Sequence, residues 1–180
     1  IEEMVDAFGR AETEGARALI LTGDGSAFSA GGNLKEAYKL SQDSAPAELR
    51  LFYTEGIHRV VKAVRALEIP VIAAVNGPVT GGSLGLVLAS DLVVMAEHAF
   101  LQPYYSEVGF GPDGGWTALL PERIGAAKTL EIQYLNRRVM AAEAVELGIA
   151  NFAMPMDQIG TVVDDWTAGL TAKKTSSLRA

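Results

Sequence analysis

Two places in this 180-residue chain put bare glycine backbone where a helix is about to begin, Ala30-Gly31-Gly32-Asn33 and Thr80-Gly81-Gly82-Ser83. The first N–H groups of a helix have no partner inside it and sit at the positive end of its dipole, and glycine leaves them unshielded. Each junction follows a segment that reads as a strand. Two such groups aimed at one oxygen form an oxyanion hole, and each fixed donor is worth about 2.7–4 kcal/mol of barrier when an enolate or tetrahedral oxyanion develops. Backbone donors do not titrate, so a reaction that moves a proton also needs a base. The plainer account of Gly81-Gly82 is close packing of helix on strand; the second glycine loop tips the balance toward a ligand.

The elements that must position these loops follow from patterning. Val71–Val75 is a continuous apolar run suited to a strand buried on both faces. Asn76-Gly77-Pro78 breaks it, Leu84–Ala89 is an apolar helix, and Asp91–Ala96 returns as a second buried strand. Before this stretch, Ile1–Ala11 has the spacing of an amphipathic helix ended by Gly15, Arg17–Thr22 reads as a buried strand, and Gly23–Ser26 is a turn. Residues 28–36 form a small-residue loop running into a short helix. Ser41–Pro46 reads as a polar break, and Ala47–Ala66 as the longest helix, with Leu49, Phe52, Tyr53, Ile57, Val60, Val61 and Val64 on one face. Farther on, Ala99–Leu101 is a short strand stopped by Pro103, and Tyr104–Gly115 a glycine-rich loop. Trp116–Leu120, Ala126–Leu135 and Ala141–Leu147 read as helices, with Gly148 as a left-handed cap. Asn151–Ala153 is a weak strand and Gln158–Leu170 a last helix. Strand and helix alternate, so the class is α/β, one domain over 1–180.

Composition excludes several functions. A net charge of −7 argues against nucleic acid, whose binders need a basic face. The absence of cysteine leaves no disulfide framework and no thiolate, which fits a reducing, cytoplasmic setting. With only His58 and His98 a histidine-rich metal site is not expected. No apolar run reaches the roughly 18 residues of a membrane span. The chain begins at Ile1, directly in a helical pattern, and reads as an excerpt of a longer protein.

Four segments carry a resemblance: AFSAGGNLKE at 27–36, AAVNGPVTGGSLGLVLASDLVV at 73–94, VGFGPDGGWTALLPERIG at 108–125 and AAEAVELGIAN at 141–151. In this order and spacing the chain resembles the crotonase (enoyl-CoA hydratase/isomerase) superfamily. The resemblance implies a repeated ββα superhelix, a homotrimer or dimer of trimers, and an acyl-CoA substrate of the kind handled in fatty acid metabolism. It calls for no separate cofactor, because the substrate itself carries coenzyme A. It places the two oxyanion donors at Gly32 and Gly82, with Ala30, Lys35, Gly81, Tyr104 and Tyr105 at the substrate. The family's opening hairpin and C-terminal assembly helices have no counterpart in 1–180.

Which reaction follows depends on carboxylates. The positions matching the two glutamates of the hydratases are Gly85 and Tyr105, and neither is an acid. One acid does match, since Asp113 in Pro-Asp-Gly-Gly resembles the aspartate of phenylacetate-pathway ring-epoxide isomerases and of a chlorobenzoyl-CoA dehalogenase. It would shuttle a proton between two carbons of a dienolate in the first role and attack carbon in the second. Read alone, Asp113 is also good turn chemistry. The expected function is therefore acyl-CoA isomerisation. Hydration, dehalogenation or hydrolysis through Asp113, and non-catalytic acyl-CoA binding are the alternatives. Glu107 is a weaker second acid, while His58, His98 and Asp91 read as structural. Gly81–Gly85 fits the G-x-S-x-G elbow of serine hydrolases, but no histidine follows His98, so Ser83 reads as a packing residue.

Overall fold

The computed structural model describes residues 1–43, 46–174 and 177–178. Four strands, β1 (Leu19–Thr22), β2 (Val71–Val75), β4 (Leu92–Ala96) and β7 (Phe152–Met154), form a parallel sheet in the order β1-β2-β4-β7. A smaller sheet joins β3 (Val79–Thr80), β5 (Phe100–Gln102) and β6 (Val139–Met140), with β3 and β5 parallel and β6 antiparallel. Strand β2 lies between two neighbours and all five of its residues are buried, which its unbroken apolar run requires. Strand β1 differs from expectation. It is shorter than Arg17–Thr22, pairs among the described residues with β2 alone, and alternates, with Leu19 and Leu21 toward the core and Ile20 exposed.

The helices are α1 (Glu2–Thr13), α2 (Leu34–Asp43), α3 (Pro46–Ala66), α4 (Leu84–Ala89), α5 (Tyr105–Val108), α6 (Trp116–Ile124), α7 (Ala126–Tyr134), α8 (Ala141–Glu146) and α9 (Ile159–Thr171). The architecture is α/β and repeats a ββα step. β1 leads to a bridge between Ser29 and Val79 and then to α2; β2 leads through β3 to α4; β4 leads through β5 to α5. Every residue of α4 is buried, and α3 packs on it, with Val61 Cγ2 2.8 Å from where a Cβ on Gly85 would lie.

Some local expectations are corrected. Ser41–Asp43 finish α2 instead of forming a polar break, and Pro46 starts α3, where its missing N–H costs nothing. Residues 44 and 45, and the side chains of Leu49, Phe52 and Tyr53, lie outside the described residues. Helix α6 runs through Pro121 to Ile124, and α5 interrupts the loop expected over Tyr104–Gly115. Two-residue strands such as β3 and β6, and a four-residue helix, are too short to produce a period.

Asn76 ties the first loop to the end of β2. It is buried, its Oδ1 accepts the Gly23 N–H at 3.0 Å, and its Nδ2 donates to the carbonyls of Gly25 at 3.0 Å and Ala27 at 3.4 Å. A side chain at Gly77 is excluded because its Cβ would lie 2.3 Å from the Ser26 carbonyl oxygen. The two chains then run side by side: Ser29 N–H donates to Pro78 O and Thr80 N–H to Ser29 O, both at 3.1 Å. Three residues beyond the Ser29–Val79 bridge lie Gly32 on one chain and Gly82 on the other, so the register of one bridge sets where both glycine loops emerge. Asn76→Ala strands the Gly23 N–H and two carbonyls, and is expected to cost about 1–3 kcal/mol. In a chain of this size that lowers Tm by about 2–4 °C per kcal/mol; thermal unfolding of the variant with an unchanged Tm would show that the tie contributes nothing.

Candidate active site

The two glycine loops line one cavity of about 380 Å³. Of the residues expected there, Ala30, Gly32, Gly81, Gly82, Tyr104, Tyr105 and Asp113 all line it. Lys35 does not; it is exposed on the first turn of α2. The loops also touch, since a Cβ on Gly31, whose φ is +84°, would lie 3.1 Å from Thr80 O. The Gly31 N–H is already used by the Ser29 hydroxyl at 3.3 Å. Among the described residues, the N–H groups of Gly32 and Gly82 have no acceptor. Two unpaired donors thus belong to residues that line one shared, largely apolar space.

Asp113 reaches this space through backbone packing. The turn Asp113-Gly114-Gly115 lies directly on residues 82–85: a Cβ on Gly114 would fall 2.1 Å from Gly82 O, and one on Gly85 only 1.8 Å from Gly114 O. No side chain fits at 85 unless that turn moves, so this backbone has no room for a glutamate there. Trp116 pins the arrangement, its buried indole donating Nε1–H to Gly81 O at 2.8 Å. The Asp113 Oδ1 sits 2.5 Å from where a Cβ on Gly82 would be, occupying the space glycine leaves. Asp113 is therefore both a turn residue and a cavity-lining carboxylate.

Tyr105, buried on α5, donates its hydroxyl to Asp113 Oδ1 at 2.5 Å and packs edge-on against Trp116, with ring centroids 6.1 Å apart. Burial pushes the Asp113 carboxyl above the usual carboxylate range, opposed by this hydrogen bond and by the charge of His58 on α3. Burial and the adjacent carboxylate push the Tyr105 phenol up, so it stays a donor. Tyr104 precedes α5 with φ +60°, a costly conformation for an aromatic residue, and its N–H is held by Asn136 Oδ1 at 2.8 Å.

The remaining candidates lie elsewhere. Glu107 and His98 are exposed and do not line the cavity. The Asp91 carboxylate accepts the Val71 N–H at 2.7 Å, a structural role at the sheet. Ser83 is buried, donates to Thr80 O at 2.7 Å and does not itself line the cavity. Among the described residues no group of three or more His, Asp or Glu side chains could hold a metal ion, and no helix is long and apolar enough to cross a membrane. The sequence reading missed Asn76, Trp116 and the Tyr105–Asp113 bond. The one available signal was a tyrosine at a position that the resemblance matches to a hydratase glutamate.

Paired ββα steps whose glycine loops share a cavity define the crotonase class of fold. The chain belongs to the enoyl-CoA hydratase/isomerase family, whose model matches residues 1–180. It is 37% identical over 164 residues to the putative enoyl-CoA hydratase/isomerase YngF of Bacillus subtilis, covering 91% of this chain and 61% of that protein. It is 34% identical over 153 residues to 4-chlorobenzoyl coenzyme A dehalogenase-1 of an Arthrobacter species, covering 83% of this chain and 54% of that protein. The crystal structure of an enoyl-CoA hydratase from Bacillus anthracis superposes with a TM-score of 0.88 at 31% identity, covering 97% of this chain and 66% of that one. The chain thus spans somewhat over half the length of these curated relatives.

Two outcomes follow from this packing. Because the folded-state pKa of Asp113 is raised, the native state is favoured while the group is protonated and loses stability as pH rises through that pKa. Asp113→Asn, which never ionises, is expected to melt at or above wild type at neutral pH, with the difference closing in acid; a lower neutral-pH Tm would instead make the carboxylate structural. Gly85→Ala should gain about 1 kcal/mol of helix propensity yet lose stability overall, since overpacking costs about 1–3 kcal/mol. Denaturant titration gives the sign.

Proposed function

We propose that the chain is the catalytic core of an acyl-CoA isomerase that moves a double bond in an enoyl or ring-containing acyl thioester. The observation that carries this reading is that, among the described residues, Asp113 is the one carboxylate lining the cavity shared by the Gly32 and Gly82 N–H groups. The thioester oxygen would accept both N–H groups, which stabilise the negative charge as an enolate forms. Asp113 would take a proton from the carbon next to the thioester and return it two carbons away. One base is enough for this shift. A pKa above the ordinary carboxylate range makes Asp113 a stronger base in the resting site.

Water addition assisted by two carboxylates does not suit this lining. Position 85 has no room for a side chain, and position 105 holds a tyrosine. Coenzyme A enters with the substrate in this reading, and Lys35, exposed just past the first loop, is available to its phosphates. Assembly as a homotrimer or dimer of trimers belongs to the same reading, with Leu130, Tyr134 and Leu135 exposed at α7 as apolar surface to be covered.

A second reading is favoured by the similarity to the chlorobenzoyl-CoA dehalogenase. There Asp113 would attack carbon, displace a leaving group and be released by hydrolysis of the ester. Asp113→Asn is expected to lower turnover of a β,γ-enoyl-CoA by about 10²–10⁴-fold while thioester binding persists, and wild type in heavy water should exchange α-protons. Unchanged turnover in the variant removes Asp113 from the mechanism. A covalent Asp113 adduct trapped by mass spectrometry selects the second reading.

A further inference from the structure

We propose that Tyr105 is a positioning residue that commits Oδ1 of Asp113, so that Oδ2 alone takes the proton from the substrate and returns it on the same face. This rests on the isomerase reading above and specifies how its single base is held. The geometry is particular to this chain. Oδ1 is enclosed on one side by Gly82, at 2.5 Å from a would-be Cβ, and capped by the Tyr105 hydroxyl at 2.5 Å. Oδ2 accepts no hydrogen bond from a described side chain. The carboxylate therefore cannot turn about its Cβ–Cγ bond without breaking the Tyr105 bond.

Tyr105 is itself held, at its hydroxyl by Asp113 and at its ring by Trp116. Its ring stands edge-on to Trp116, whose indole is bonded to Gly81 O, the residue before the proposed oxyanion donor. One chain of contacts, Tyr105 to Trp116 to Gly81, thus fixes the base relative to the thioester oxygen. The titratable groups that act on Asp113 are Tyr105 from α5 and His58 from α3, with Tyr104 at the cavity wall. In the reaction the α C–H bond breaks, its electron pair enters the dienolate whose charge rests on the thioester oxygen, Oδ2 carries the proton, and a new γ C–H bond forms as the dienolate collapses. No oxidant, reductant or metal is required.

The test uses Tyr105→Phe, which keeps the ring against Trp116, and 3-fluorotyrosine at 105, which keeps the hydroxyl and makes it a stronger donor. In the resting protein, the ¹³C titration midpoint of the Asp113 carboxyl should move up in Tyr105→Phe and down with fluorotyrosine, with His58→Gln as the control for the imidazole's charge. With an α-deuterated β,γ-enoyl-CoA in ordinary water, wild type should carry label to the γ-carbon. Tyr105→Phe should lose that label to solvent and lose up to about 100-fold in kcat, with little change in KM. A merely structural tyrosine would not move the midpoint in opposite directions. Unshifted midpoints with undiminished label transfer overturn the proposal while wild-type exchange upholds the isomerase reading. Wild type that neither exchanges nor converts overturns that reading, and the role in proton transfer with it.

Discussion

The site depends first on a buried amide. Asn76 stands at the end of the most deeply buried strand and spends both ends of its side chain on the backbone of the turn at 23–27. Buried backbone groups need partners, and a turn far away in sequence supplies no regular ladder for them. Asn76 supplies that lack. By holding the turn against the 76–78 backbone it allows the Ser29–Val79 pairing, and the two glycine loops leave that pairing side by side. Without the tie, two anion-receptive helix starts would still exist, but the turn that leads into the first would lose its side-chain anchor to the strand that leads into the second.

The third component arrives by a different means. Asp113 is placed by glycine-on-glycine packing, with Gly114 against the Gly82 carbonyl and Gly85 against the Gly114 carbonyl. Such contacts leave no tolerance for a Cβ, so the turn has one seating, and the carboxylate fills the gap left at Gly82. Seating a carboxylate in a mostly apolar cavity disfavours its charge, which the Tyr105 hydrogen bond partly offsets. The strained Tyr104 and the Asn136 contact that holds it lie at the same wall, in keeping with strain collecting where a backbone is over-determined by its neighbours.

Legibility in the sequence was uneven for physical reasons. β2, α4, β4 and the Gly81-Gly82 junction could be read because a run buried on both faces must be apolar, and because glycine pairs mark helix starts. The edge strand β1 was read as buried because its apolar residues do not reveal how many neighbours it has. Tyr105 was read as a substrate contact with no partner assigned to its hydroxyl, since a phenol's partner lies across space and leaves no trace in spacing. Trp116 was read only as the start of a helix, although its indole N–H is what anchors the second loop.

By itself the sequence determined the α/β class, the two glycine-opened helices, the shortage of acids at positions 85 and 105, and the lone aspartate in its Pro-Asp-Gly-Gly turn. These are local properties, set by side-chain size, backbone freedom and charge, and local properties are written residue by residue. Only the tertiary structure decided that both loops face one cavity, that Asp113 turns inward, that position 85 has no room, and that Tyr105 holds the carboxylate. Those facts are distances between residues that are mostly tens of positions apart, and they exist only once the sheets and the Asn76 tie have brought the segments together.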